Sequence, residues 1–469
     1  MIATAVVIVP LVAALLCALP RLSRAAQPIA VLSGLAVIAL SALALASGTS
    51  TGTRTTWAPQ LGAGFAVDVD GLSGSLLGLV GLVFAVGAAA SARVSRRGAY
   101  FALWCLLQAL LAGVFVSRDL LLFFLFWEAL LIPLAVLIWQ WGGDDRRGAA
   151  TRLVLHNLAG SAAFLVVIVT LAVARGTLDI DALAARPIGS AGQLVPALLI
   201  LLAFAVRLPV FPLHGWMPRT LIAAPVPVSL AIVGGLATSA AHGIVRVSLP
   251  LFPQGMTTAA PVLVALAAVG ALYAALIATR QVDLRRLIAY ASLSQLQLIA
   301  LGSFAASATS VRGAVLATVS HGVVIAALLL LAGMVALRTK SFAFSRAGGL
   351  AASTPLLAML FTLTVFAAIG LPGTSGFAGQ FLALAGAYER FPAAAAAAAG
   401  VFIGGAVFGL VPVRRVFHGP PLTTGRDLGW RERALVAPLL ALVILLGVAP
   451  TLLTDRIPSD ALPAVEAPR

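Results

Sequence analysis

The stretch LLFFLFWEALLIPLAVLIW, Leu121 to Trp139, decides the fold class. It holds one carboxylate, Glu128, in a run of apolar residues. As a helix it is about 28 Å long, at about 1.5 Å per residue, close to the hydrocarbon thickness of a bilayer. An ionised side chain at that depth costs about 3 kcal/mol on insertion scales, and more where nothing pairs with it. The stretch therefore reads as a membrane span, and Glu128 as a residue that needs both a partner and a purpose.

Composition agrees along the rest of the chain. Hydrophobic residues make up 61% of the sequence, charged residues 10%, and the mean hydropathy is +1.09. A soluble domain carries about 25% charged residues. The apolar runs are long and do not alternate, which points to helices rather than barrel strands. The formal charge of +15 does not indicate nucleic acid, because the cations lie between apolar runs and form no basic stripe or binding motif. Cys17 and Cys105 fall inside apolar segments without metal-ligand spacing or a disulfide role.

The expected fold is an all-α polytopic membrane protein of about fourteen spans, with approximate limits 3–19, 28–47, 72–91, 98–116, 119–140, 150–174, 194–212, 227–250, 258–279, 283–303, 310–337, 354–388, 391–412 and 433–454. Most arginines lie in connectors after odd-numbered spans, so those connectors are expected to face the cytoplasm and both termini the outside. The first segment lacks a basic n-region and is followed by Arg21 and Arg24, so it reads as an uncleaved span. The tail PSDALPAVEAPR is Pro-rich and polar and is expected to be disordered. The longest connectors, at about 48–71, 175–193 and 413–432, are too short for a soluble cofactor-binding domain.

Two spans are interrupted. FAVRLPVFPLHGWMPR, Phe204 to Arg219, carries Pro209, Pro212 and Pro218. FAAIGLPGTSGFAGQFLA, Phe366 to Ala383, carries Pro372 and Gly373. Backbone freed from a helix at this depth needs protein or water around it, and paired interruptions in two halves are a sign of inverted repeats. Spans four to eight (98–250) and nine to thirteen (258–412) then form two inverted five-helix repeats. Each carries its break in the fourth helix, with residues 1–97 before them and 413–469 after.

The ionisable residues within spans are Glu128, Arg152, His156, Arg207, His214, His242, Arg246 and His321, joined by the neutral Gln295, Gln297 and Gln380. Such residues line ion paths or pair with one another. Arg207 is the expected partner of Glu128. A guanidinium keeps its proton, so Arg207 can hold a charge in place but cannot pass a proton on; a histidine, with an unperturbed pKa of about 6.5, can. For each histidine a plain hydrogen-bonding contact between helices is the competing reading, and His214 could simply satisfy carbonyls freed by the break. Arg246 and Arg152 lie near span ends and are expected to snorkel to the interface.

At these residues the chain resembles a known family. FWEALLIPLAVLIWQWGG and AVRLPVFPLHGWMP are similar to the fifth- and seventh-helix motifs of the antiporter-like M chain of bacterial respiratory complex I. HNLAGSAAFLVV, AAPVPVSLAIVGGLATSAAHGIVRVSLPLFP, QVDLRRLIAYASLSQLQLIALG, SHGVVIAALLLLAGMV and LPGTSGFAGQFL continue the match over roughly residues 100–410. The resemblance implies fourteen helices with two inverted repeats, and a subunit in the bacterial inner membrane, assembled with other membrane subunits. It implies proton translocation driven by quinone reduction elsewhere, with no cofactor or metal in this chain and with NADH, flavin, iron–sulfur clusters and quinone in partner subunits. The family's polar axis of Glu, Lys, Lys, His and Glu falls on Glu128, Arg207, Thr238, Gln295 and Gln380, so only the first is retained. His321 matches the family's helix-eleven residue. Thr238, Gln295 and Gln380 cannot take up and release protons near neutral pH, though neutral groups can organise water. Alternatives within the same fold are a structural paralogue with a degenerate channel, the D-type chain of a multisubunit cation/proton antiporter, and a membrane-bound hydrogenase subunit. A stand-alone enzyme is the least favoured reading, because the sequence shows no P-loop, dinucleotide fingerprint or nucleophile motif.

Overall fold

The computed structural model describes residues 1–47 and 52–457, so the tail PSDALPAVEAPR lies outside the described residues. The chain divides into two units. The first comprises Met1–Leu208, Ala223–Pro261 and the chain from Asp455, and the second Pro209–Ile222 and Val262–Thr454. Ten of the described helices are long and apolar enough to cross a membrane by length and composition. Ile2–Ala18, Leu194–Arg207 and Pro355–Ile369 are shorter apolar helices. The seventh and twelfth expected spans do not appear as single long helices because their prolines and glycines divide them.

In the first unit, helices Ile2–Ala18, Ala26–Ser47, Gly71–Ala90 and Arg97–Val116 pack as neighbours. The connector that follows Ala26–Ser47 contains an antiparallel hairpin, Thr53–Ala58 with Ala63–Val67. Its Thr-rich first strand suits β structure, and Gly62 at φ 64 supplies the left-handed turn. The decisive stretch is helical but divided, as Leu120–Ala129 and Leu131–Trp141. Pro133 has no N–H to offer the Ala129 carbonyl, so the ladder fails one residue beyond Glu128. Asp119 starts the first half by accepting from Leu121 N–H at 2.9 Å and Leu122 N–H at 3.0 Å. Arg146–Arg175 turns Leu155, Val166, Val169 and Val173 outward, as a lipid-facing helix does. Val226–Leu251 is buried from Val228 to Leu249 and contains two wide π turns, Ile232–Leu236 and Ile244–Ser248. Nothing in its apolar sequence marked those turns, which often accompany functional sites.

In the second unit, Leu284–Ala305 and Ala308–Thr339 are the buried helices, and Ser375–Tyr388 packs closely on the latter. That approach depends on Gly313 and Gly379, where an added methyl would overlap the facing backbone at Ala383 and Ala317. Small residues at membrane helix contacts permit dense packing where no hydrophobic driving force separates protein from lipid. Asp283 starts Leu284–Ala305 by accepting from Arg285 N–H at 2.8 Å and Arg286 N–H at 3.0 Å, the same device as Asp119.

Candidate functional site

In the first unit, Glu128 and Arg207 meet. Arg207 is 1% exposed, and its Nη2 lies 3.5 Å from Glu128 Oε1. The guanidinium is held more firmly by neutral groups. Nε donates to Asn157 Oδ1 at 3.0 Å, Nη1 donates to the Trp127 carbonyl at 2.8 Å, and the group stacks 3.5 Å from the centre of the Trp127 ring. Arg207 is thereby a fixed cation, with cation–π and charge-assisted bonds compensating for lost water. Glu128 is less fully held. Oε1 accepts from Ser161 Oγ, and Oε2 is buried without a hydrogen-bond partner. Ser161 Oγ also lies 2.9 Å from the Asn157 carbonyl. One hydroxyl hydrogen cannot serve both acceptors fully, so the site has a place for one more proton.

A second cluster in this unit was not read from the sequence. Asp70 pairs with Arg118 at 2.8 Å and with Arg246, while Arg118 also reaches Asp181 at 3.3 Å. Arg54 binds Asp179 and Asp181, each at 2.5 Å. Burial pushes the Asp70 carboxyl up, but Arg246, Arg118 and the Ser73 N–H outweigh it and hold it well below the usual range. Arg246 is 4% exposed and does not snorkel as expected: an acid at the head of the Gly71–Ala90 helix satisfies it inside the protein. The available signal was the Asp70-x-x-Ser73 capping box, with both reciprocal bonds at 2.9 Å.

His242, one turn before Arg246, is 1% exposed. Its ring lies edge-on to Phe115 at 5.2 Å and stacked with Phe123 at 6.2 Å, and neither ring nitrogen has a hydrogen-bond partner. Thr238 precedes it by one turn, between the two π turns, with Oγ1 donating weakly to Val233 O at 3.4 Å. His156, counted within a span, is exposed on its helix and bonded through Nδ1 to Arg152 O at 2.9 Å, so it does not join the buried set. The helix turns that face away from the core, a direction that hydropathy cannot reveal.

In the second unit, His321 and Gln295 meet. His321 Nδ1 is 3.1 Å from Gln295 Oε1, and Nε2 is 3.3 Å from Ser292 Oγ. Gln295 Nε2 donates to Ala368 O at 2.8 Å, which fixes Oε1 as the acceptor facing the ring. The assignment follows that Nδ1 carries the hydrogen and Nε2 accepts from Ser292. Gln380 is buried at 5% beside the second break: a methyl placed on Gly370 would lie 3.4 Å from its Oε1.

The backbone freed around Pro209 and Pro212 is served by Gln297. Its Nε2 donates to Pro209 O at 2.8 Å, and its Oε1 accepts from Phe211 N–H at 3.1 Å. His214 takes another role: half-buried, it stacks on Phe211 at 5.6 Å and meets Tyr273 at 5.2 Å, with Nδ1 unpartnered. At the other break, Gly370 at φ 82 and Gly373 at φ 88 flank Pro372 in conformations that suit glycine. Among the described residues no group of three His, Cys, Asp or Glu side chains could hold a metal.

The fold and these sites define a polytopic helical membrane protein built around buried ionisable and polar side chains. Residues 117–405 match the family model described as NADH:quinone oxidoreductase/Mrp antiporter, transmembrane. The chain is 35% identical to NADH-quinone oxidoreductase subunit M of Rhodobacter capsulatus, over 85% of this chain and 81% of that protein. It superposes on a chain of respiratory complex I from Thermus thermophilus with a TM-score of 0.91 at 32% identity, covering 98% of this chain and 99% of that one. A chain of the Mrp complex from Dietzia shares the fold at 23% identity, with a TM-score of 0.88 over 98% of this chain and 96% of that one. The chain belongs to the NADH:quinone oxidoreductase/Mrp antiporter transmembrane family.

Proposed function

We propose that this chain is the M-type, antiporter-like subunit of a complex I-type NADH:quinone oxidoreductase in a bacterial inner membrane. Both termini face outward, and other membrane subunits flank it. It contributes to proton translocation, while NADH oxidation and quinone reduction take place on flavin, iron–sulfur clusters and quinone in partner subunits, with no redox group here. The likeness to subunit M at 35% identity favours this reading over the antiporter and hydrogenase alternatives.

The observation that carries the mechanism is the buried Glu128–Arg207–Ser161–Asn157 cluster. A proton arriving on Glu128 lets the carboxyl donate to Ser161 Oγ, whose own hydrogen then turns fully to the Asn157 carbonyl. Both protonation states thus keep their hydrogen bonds, and Arg207 remains charged in its place as an electrostatic anchor. Thr238 and His242 extend the path in the first unit, the histidine as a proton carrier and the threonine as a hydrogen-bonding group. In the second unit His214, Gln295, His321 and Gln380 belong to it, with His321 the group that changes protonation. Pro209, Pro212, Pro372 and Gly373 make the breaks.

Chain spacing supports two repeated halves of five spans, 98–250 and 258–412. The same number of residues separates Asp119 from Asp283, Asp179 from Ala343 and Asn157 from His321. The first two are helix starts, and each forms a β-bridge with its own partner, Asp119 with Asp179 and Asp283 with Ala343. Fourteen crossings follow if Ile2–Ala18, Leu194–Arg207, the broken pair Pro355–Ile369 and Ser375–Tyr388, and Trp430–Val448 join the ten long helices.

The test is Glu128→Gln in the parent complex, purified and reconstituted into vesicles. Protons pumped per NADH oxidised should fall. Unchanged pumping at normal assembly would overturn the role of Glu128 and leave a structural paralogue as the better reading.

A further inference from the structure

The first unit carries five arginines at one end of its packed helices: Arg21 and Arg24 after Ile2–Ala18, Arg93 and Arg96 after Gly71–Ala90, and Arg97 at the start of Arg97–Val116. The sequence has no Asp or Glu before Asp68 and none between Asp70 and Asp119. Among the described residues, no ion pair takes in any of these five. This is a concentrated positive charge with no ion-pair partner among the described residues. Three of the arginines surround a cavity of about 510 Å³, lined by Cys17, Leu19, Ser23, Arg24, Arg96 and Arg97.

The cavity has the chemistry of an anion site. Arg97 donates from Nη2 to Gln27 Oε1 at 3.0 Å and from Nη1 to Ala92 O at 3.3 Å, and its Nε is buried without a hydrogen-bond partner. Arg24 is exposed, and Arg96 reaches only Gln140 Oε1, at 3.4 Å. Planar guanidinium groups match phosphate oxygens in paired geometry. The Arg97–Val116 helix also starts here, and Arg96 makes no side-chain capping bond, so its positive end adds to the field.

The surroundings select the source of the anion. Leu15, Leu16 and Leu19 are exposed by 64%, 38% and 50%, an apolar surface at the end of the Ile2–Ala18 helix and its C-cap, where Leu19 lines the cavity. A free phosphate has no use for that face, whereas an acyl chain does. We propose that the cavity binds the phosphodiester headgroup of an anionic phospholipid, with Arg24, Arg96 and Arg97 on the phosphate and an acyl chain along Leu15, Leu16 and Leu19. Clustered basic residues at the end of membrane helices attract anionic lipid on general grounds, and here a cavity gives that attraction a fixed place.

The test uses the full chain in its native assembly, delipidated in mild detergent and titrated with phosphatidylglycerol or phosphatidylcholine micelles while bound lipid and thermal unfolding are followed. The unmodified chain should retain phosphatidylglycerol and be stabilised by it, and not by phosphatidylcholine. Arg24→Gln/Arg97→Gln should weaken the lipid by about fivefold per arginine removed, the scale for one basic residue at an anionic surface. The control Arg280→Gln/Arg414→Gln, which removes equal charge from other connectors, should not. If the double variant fails to assemble, Arg24→Gln alone, on an exposed side chain, should still show about a fivefold loss. Equal phosphatidylglycerol affinity in the cavity and control variants overturns the proposal. So does stabilisation by inorganic phosphate as large as that by the lipid.

Discussion

Glu128 and Ser292 occupy matching places, each the same distance along the chain from the aspartate that starts its helix, Asp119 or Asp283. By the same spacing Asn157 corresponds to His321, Ser161 to Ile325 and Arg207 to Leu371. The first unit therefore builds an ionised pair where the second builds a neutral chain of Ser292, His321 and Gln295. The contrast shows what a charge requires in a medium of low dielectric. Arg207 recruits an amide oxygen, a backbone carbonyl, an indole face and a carboxylate, whereas His321 is satisfied by one acceptor and one donor. Removing the buried cation of the first unit should accordingly cost far more than removing a neutral member of the second.

Arg207→Leu is the strongest way to test that difference. It leaves Glu128 buried without a cation and strips the donors from Asn157 and Trp127, so it should destabilise the chain by about 3–5 kcal/mol, read from denaturant unfolding in detergent. A loss below that of the second-site variant would break the comparison. Gln295→Leu removes the acceptor of His321 and the donor of Ala368 O, both neutral, and should cost about 1–3 kcal/mol in the same assay. Ser161→Ala should cost about 1 kcal/mol, because the Asn157 carbonyl keeps its helical partner while Glu128 loses one donor. That variant sharpens the proton argument: pumping should fall at normal assembly, since both protonation states of Glu128 lose the hydrogen bond to Ser161.

The smallest effect lies outside the membrane. Asp427 accepts from Leu356, Leu357 and Leu428 N–H groups. Partial burial pushes its carboxyl up, but these donors, with Arg338 nearby, pull it further, below the ordinary 3.8. Its stabilising contribution is thus complete above about pH 4, the unfolded value, and is lost as pH falls through the lower folded one. Asp427→Asn should lower stability slightly near neutral pH, leave it unchanged below the folded value, and so flatten the acid side of a stability–pH curve. It marks the limit that solvent screening sets on the same carboxylate chemistry.

Particular residues show how far the sequence could be read. A lone acid in an apolar run announced that Glu128 needs a partner, and the shortage of cations at similar depth pointed to Arg207. Prolines and glycines announced both breaks. Asn157 and Ser161 passed unnoticed, because small polar residues are common in membrane helices and cost little until they face a charge. Arg246 was assigned to the interface because a long cation near a span end can reach water; only the fold brings Asp70 to it. His156 and His242 look alike in sequence, yet one faces outward and the other is sealed among aromatic rings.

The sequence by itself determined that this chain is a bundle of membrane helices, where it breaks, and which buried groups carry an energetic debt. Hydropathy, proline chemistry and the cost of dehydrating a charge act locally and leave their mark in the order of residues. The tertiary structure alone decided which debts are settled and by whom: Gln297 at a helix break, Asp70 between two arginines, Trp127 under a guanidinium. Those bonds join residues distant in the chain, and their strength depends on distances of a few ångströms and on the direction each helix turns its face, neither of which is written in any single segment.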